Sequence, residues 1–218
     1  MNEQSDAPRF LQVELLSEAA FSRGEGTAGM VEMEVEHDPW GVPFVGGRTL
    51  RGLLRDSWLS MARHFPELKE AALRVLGRSR TLDERCCLRI GDALLPSALR
   101  RAARRAVERD DNPLSAHTIL EGLTAVRHQT AEERISGAPA ETTLRSCRVM
   151  LRGLEFHARL HWLEAPRAED LQVLALCALA TRHGGLARNR GRGHLRLTLE
   201  GDLACTRSLA GLERKKTS

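Results

Sequence analysis

Leu154–Trp162 reads LEFHARLHW, and its strict alternation decides the fold. Leu154, Phe156, Ala158, Leu160 and Trp162 fall on one side of an extended chain, with Glu155, His157, Arg159 and His161 on the other. A period of two is that of a strand with one covered and one open face, the usual condition of an antiparallel sheet. HLRLTLE, His194–Glu200, repeats the pattern, setting Leu195, Leu197 and Leu199 against His194, Arg196 and Thr198. Between these strands PRAEDLQVLALCALATRHGG, Pro166–Gly185, predicts a helix. Pro166, Glu169 and Asp170 suit its start, and the Gly184–Gly185 pair is expected to end it. Upstream, FLQVELLS alternates through Leu11, Val13 and Leu15, and CLRIGDALL reads as a shorter strand. TLRGLLRDSWLSMARHF places Leu50, Leu53, Leu54, Trp58 and Met61 in helical register, with Thr49 as the expected N-cap.

Together these elements follow a βαββαβ plan, so the expected fold is α+β, a ferredoxin-like (RRM-like) core. The expected organisation is one domain over residues 1–205, with insertions at about 64–86 and 97–148 and a basic tail at 206–218. PSALRRAARRAVERDD, Pro96–Asp111, reads as an arginine-laden helix. Its pairs Arg100/Arg104, Arg101/Arg105 and Arg105/Arg109 repel by about 0.2–0.5 kcal/mol each. Such a face suits either solvent or an anion. Residues 110–148 show little period, and a loop that long in a small domain is usually functional or disordered.

Composition narrows the function classes. The chain has 218 residues, is 42% hydrophobic and 28% charged, and contains no apolar run of membrane-spanning length. Its first residues lack a secretory pattern, so a cytoplasmic location is expected. Five cysteines without CxxC spacing indicate neither a disulfide framework nor a zinc site, and no tightly bound cofactor is expected. His157 and His161 lie four apart on the open face of a strand, which argues against a shared metal. Net charge is only +4, but 30 of the 33 basic residues are arginine. No acid occurs from Pro39 to Arg55 or from Leu171 to Leu199, while arginines recur in both. Concentrated positive charge is the footprint of a polyanion. Five phenylalanines, three tryptophans and no tyrosine leave no aromatic platform for stacked bases.

The charge falls on two glycine-rich loops. GGLARNRGRG, Gly184–Gly193, follows a helix C-terminus rather than preceding a helix, so it does not read as a dinucleotide or P-loop fingerprint. Its arginines must supply the attraction themselves. EHDPWGVPFVGGRTLRGLLRD, Glu36–Asp56, delivers Arg48, Thr49 and Arg51 onto the first turns of a helix, a reasonable phosphate cradle.

DPWGVPFVGGRTLRGLLR resembles the first-loop signature of the RAMP superfamily (repeat-associated mysterious proteins of CRISPR systems), and HGGLARNRGRGHLRL resembles its late glycine-rich loop. IGDALLP resembles its central strand, and RHQTAEERISGAPAETTLRSCRVMLRGLEFHARL its thumb hairpin. The resemblance covers about residues 10 to 200 and points to backbone subunits of type III CRISPR effector complexes, which bind CRISPR RNA and present it to target RNA. It implies guide contacts from Arg48, Thr49, Arg51 and Arg55, and from Gly184, Gly185, Arg188, Asn189, Arg190 and Arg192. Arg127, His128 and Arg134 would lie on the thumb. Other subunits of the same kind, guide RNA and target RNA are the implied partners.

Target-cutting members of the superfamily carry an aspartate in the loop after the first strand. Here VEMEVEHD, Val31–Asp38, puts Glu32 at that position, with Asp38 as a second candidate. A carboxylate there could hold Mg²⁺ or orient a ribose 2′-hydroxyl, although glutamate reaches one methylene farther. The competing reading makes Glu32, Glu34 and Glu36 the exposed face of a strand, with Met33 and Val35 buried, and Asp38 an Asx cap. Two other functions in the superfamily remain open, a non-catalytic capping or scaffold subunit and an endoribonuclease that processes precursor CRISPR RNA.

Overall fold

A computed structural model describes residues 7–22, 31–77, 86–129, 145–188 and 190–212. Among the described residues seven strands and six α-helices follow in chain order: β1 (Phe10–Leu15), β2 (Phe44–Val45), α1 (Gly47–Met61), α2 (Lys69–Leu76), β3 (Leu88–Leu94), α3 (Ser97–Glu108), α4 (Ala116–Leu123), β4 (Thr124–Gln129), β5 (Arg145–Met150), β6 (Glu155–Trp162), α5 (Ala168–Ala180), β7 (Leu195–Leu199) and α6 (Leu203–Leu209).

The main sheet has the order β2-β3-β6-β1-β7, and every neighbouring pair is antiparallel. Without the two-residue edge strand β2, the order is that of a ferredoxin-like fold. The chain crosses from β1 to β3 over β6 through α1, and from β6 to β7 over β1 through α5. Two interleaved β-α-β crossovers put both helices on one face. The alternation read from sequence supplies that face. Val13 lies opposite Phe156 on one side and Leu197 on the other, and all three are buried. Leu50, Leu54 and Trp58 of α1 close over them. Truncating a side chain such as Phe156 would cost about 3–5 kcal/mol. The opposite face of β6 stays open, with Glu155, His157, Arg159 and His161 exposed.

Helix α5 is buried on nearly all sides, from Val173 to Ala178, because α1, α2, α6 and the sheet surround it. Its buried Asp170 accepts the Arg167 N–H at 3.0 Å and pairs with Arg74 of α2 at 3.2 Å. Burial pushes the Cys177 thiol up to about 12 and the Cys87 thiol up to about 11, so neither is a ready nucleophile.

Two helix boundaries are corrected, and the segments expected as insertion and tail contain elements of their own. Thr49 is not the N-cap of α1: the helix starts at Gly47, with Gly46 as cap. A Cβ on Gly47 would stand 2.3 Å from the Ile90 carbonyl, so the glycine lets the helix seat on the bulge of β3. Helix α5 ends at Ala180 rather than at the glycine pair, because Thr181 turns extended and its hydroxyl donates to the Cys177 carbonyl at 2.8 Å. Residues 69–76, expected inside an insertion, form α2 and bury Ala71, Ala72, Val75 and Leu76 in the common core. Residues 206–209, expected in the tail, belong to α6, whose buried Thr206 hydroxyl accepts the Leu199 N–H at 2.8 Å. The stretch 110–148 contains α4 and most of a separate two-stranded sheet, β4–β5, paired from Thr124↔Met150 to Gln129↔Arg145.

Candidate nucleic-acid interface

Three segments assemble at the glycine-rich loop after α5. The loop closes on itself through the Gly184 N–H and the Gly193 carbonyl at 2.9 Å. It also clings to the chain after β1: the Gly193 N–H donates to Glu18 O at 2.7 Å and the Leu186 N–H to Ala20 O at 2.9 Å. The glycines make this possible. A Cβ on Gly193 (φ +69°) would stand 2.0 Å from the Gly184 carbonyl, and one on Gly185 (φ +81°) 2.5 Å from the Ala20 carbonyl. Gly185 and Gly193 therefore bring protein backbone onto protein backbone, and the N–H groups of Gly184, Leu186 and Gly193 are spent inside the fold.

What the loop presents outward is its arginines. Arg188 and Arg190 are exposed, and among the described residues neither guanidinium has an ion-pair partner. Arg192 is half-buried beside Glu18 and lowers that carboxyl's pKa. Asn189 lies outside the described residues.

The β4–β5 hairpin joins the same region. Arg127 on β4 grips Glu18 with two nitrogens, Nε at 2.9 Å from Oε2 and Nη2 on Oε1. This hydrogen-bonded guanidinium holds the Glu18 carboxyl below its ordinary value of 4.5, and the positive charge of Arg192 adds to the effect. Because the folded pKa is depressed, the pair's stabilisation is complete above the unfolded pKa and is lost as pH falls through the folded value. Arg127 is exposed and Glu18 only half-buried, so solvent screens the pair and keeps its contribution small. The stability difference between wild type and Arg127→Gln should stay constant from about pH 6 to 8 and shrink below about pH 4.5, as urea titrations at stepped pH would read. His128 is exposed next to Arg127. Arg134 lies outside the described residues.

The segment carrying the candidate acids is not a strand. It runs along β5, with the Met33 N–H donating to the Ser146 carbonyl at 3.2 Å and the Arg148 N–H to the Met33 carbonyl at 2.9 Å. Val35 is buried and Met33 half-buried. Glu34 turns inward and pairs with buried Arg148 at 2.8 Å. Glu32 is exposed, its own N–H donating to Ser146 Oγ at 3.1 Å, and among the described residues its carboxylate has no partner. Asp38 caps a turn: its Oδ1 accepts the Trp40 N–H at 3.0 Å and the Val42 N–H at 2.9 Å. Among the described residues no group of three or more His, Cys, Asp or Glu side chains could hold a metal.

The first glycine loop divides its residues between two tasks. Arg48 and Thr49 are exposed on the first turn of α1. Arg51 donates to the Leu88 carbonyl, and Arg55 to the Gly77 carbonyl at 2.8 Å. The first helical N–H, on Gly47, donates to Asp92 Oδ1 at 2.8 Å, so the chain already supplies an anion where the sequence predicts a phosphate. Sequence reasoning missed Glu18, the anchor of both the hairpin and the loop. A lone glutamate after a strand carries no signal of that role.

By topology the protein belongs to the ferredoxin-like α+β class, with two glycine-rich loops and a side hairpin added. No protein-family model matches the sequence, and no curated protein matches it. Solved structures do. A chain of the type III-B Cmr-beta complex bound to cognate target RNA, determined by cryo-electron microscopy, superposes with a TM-score of 0.64 at 11% identity, over 93% of this chain and 98% of the other. A chain of the same complex in its apo state gives 0.64 at 12% identity, over 89% and 97%. At such identities the likeness is one of fold. No helix among the described residues is long and apolar enough to cross a membrane.

Proposed function

We propose that the protein is an RNA-binding subunit of a type III CRISPR effector complex, a backbone subunit of the RAMP kind that holds guide RNA and presents it to target RNA. The observation that carries this reading is the loop after α5. Its backbone is bonded inward, and Arg188 and Arg190 are left outward without acidic partners among the described residues. Rigidly mounted arginines suit phosphate oxygens at fixed spacing. Arg48 on α1 and His128 on the hairpin add exposed polar and basic groups. The end-to-end likeness in fold to chains of the Cmr-beta complex supports the same reading. Guide RNA, target RNA and neighbouring subunits are the partners, in a cytoplasmic ribonucleoprotein. The test is titration of the full chain with single-stranded RNA. Binding tighter than ordinary non-specific contact is expected, and a Kd above about 10⁻⁴ M would contradict the proposal.

A second reading, that this subunit also cuts the target, is favoured by one observation. Glu32 stands exposed beside the hairpin, its carboxylate without a partner among the described residues, whereas Glu34 and Asp38 are committed elsewhere. If it cuts, magnesium-dependent cleavage by the assembled guide complex disappears in Glu32→Ala with guide binding retained, and Asp38→Asn acts only through stability. Cleavage unchanged in Glu32→Ala would leave a guide-binding scaffold.

A further inference from the structure

A cleft of about 550 Å³ opens between α1, the end of α5 and the glycine-rich loop. Its two walls have opposite hydrogen-bonding character. On the α1 side stand Asp56, Ser57 and Ser60. Thr181 Oγ1 already donates to the Cys177 carbonyl, so in the 2.8 Å contact between Ser57 Oγ and Thr181 Oγ1 the serine is the donor. Ser60 spends its proton on the Asp56 carbonyl at 3.0 Å. Both hydroxyls therefore offer the cleft lone pairs only, and the Asp56 carboxylate is an acceptor by nature. The opposite wall carries Arg182 and Arg188, which only donate and which have no ion-pair partner among the described residues, together with His183, whose ring nitrogens can donate or accept. Leu53 and Met61 add an apolar lining.

An occupant must therefore turn anionic acceptors toward the arginines and a donor toward α1. A free phosphate or a purely anionic ligand meets one wall and is repelled by Asp56. A nucleotide unit of an RNA strand meets both: its phosphate oxygens accept from the arginines, and its 2′-hydroxyl donates to the acceptor wall. A deoxynucleotide leaves that wall unanswered.

We propose that this cleft is a ribose-reading subsite, in which Arg182 and Arg188 take a phosphate and Asp56, with Ser57 and Ser60, takes the neighbouring 2′-hydroxyl, selecting RNA over DNA. The inference rests on the RNA-binding reading above and adds Asp56, Ser57, Ser60 and Arg182 to it.

The test measures binding of the full chain to one fluorescent single-stranded sequence as RNA, as DNA and as 2′-fluoro RNA. The fluoro strand lacks the donor and keeps the ribose-like pucker. Wild type is expected to prefer RNA over both other strands by about tenfold, the order expected for a hydrogen bond to a charged acceptor. Ser60→Ala should bring that ratio toward one by weakening RNA alone, and Asp56→Asn should bring it toward one while relieving the repulsion of all three strands by the carboxylate, both with unchanged thermal melting. Arg188→Gln should weaken all three strands alike. Equal binding of RNA and 2′-fluoro RNA by wild type, or an unchanged ratio in both α1 variants, overturns the subsite and leaves the RNA-binding reading standing. Failure to bind any strand overturns both.

Discussion

Replacing Arg48, Arg188 and Arg190 together by glutamine is expected to weaken single-stranded RNA binding about a hundredfold at moderate salt. Exposed charge contacts contribute up to about 1 kcal/mol each, and about 3 kcal/mol corresponds to roughly two decades in Kd. The salt dependence is the sharper readout. Each lost phosphate contact removes about 0.7 from the slope of log affinity against log salt for a single strand, so the slope should flatten by about two. All three side chains are exposed, and none has an ion-pair partner among the described residues, so thermal stability should hardly change. Arg51→Gln and Arg55→Gln should behave in the reverse sense, because these guanidinium groups donate to the Leu88 and Gly77 carbonyls. They should lower stability and leave the salt slope nearly intact. A triple variant with the wild-type slope would remove the glycine-rich loop from the interface.

The second large effect concerns the mounting of that loop. Gly193→Ala is expected to destabilise the protein by roughly 4 kcal/mol, because its methyl would stand 2.0 Å from the Gly184 carbonyl at a φ of +69°. Relieving the clash breaks the bonds from Gly193 to Glu18 and from Gly184 to Gly193, and a buried unpaired group costs about 1–3 kcal/mol. For a domain of this size that is a fall of about 8–16 °C in Tm. Two glycines give the contrast. Gly191→Ala meets open space at a φ of +75° and should lose only the left-handed strain, about 1 kcal/mol. Gly52→Ala, inside α1 with nothing near its Cβ, should gain about 1 kcal/mol. Calorimetry on the three variants reads the ordering directly, and equal losses for Gly193→Ala and Gly191→Ala would contradict this account of the loop.

The core was legible because burial writes itself as period. In β6 every second residue from Phe156 to Leu160 is buried, and β1 and β7 pair with the same phase. The β4–β5 hairpin was not legible as structure, because it forms its own two-stranded sheet over a small cluster of Ala20, Cys147 and Val149. With so little apolar surface beneath it, its two sides have no strong pattern to show. The segment that resembles a thumb overlaps this hairpin, whose strands the periodicity does not show.

The glycines have partners within the fold that the sequence does not name. A glycine-rich loop announces that backbones come close, and at Gly47, Gly185 and Gly193 the approaching backbone is the protein's own. The arginines of α1 illustrate a related limit. Arg48, Arg51 and Arg55 share one helical stripe, and sequence fixes that phase. It does not say that β3 and the end of α2 lie under the later part of the stripe, which turns two of the three inward. Asp56, Ser57 and Ser60 carried no motif, and their common acceptor character emerges only once Thr181 and the Asp56 carbonyl are seen to take the serine protons.

The most direct test of the central claim is to purify the full chain from cells that also express a CRISPR array and partner subunits, and to sequence the nucleic acid that comes with it. The account predicts RNA of discrete length bearing guide sequence, released by high salt and reduced in the Arg48, Arg188 and Arg190 triple variant. Recovery without nucleic acid, or with RNA that merely mirrors cellular abundance, would contradict it.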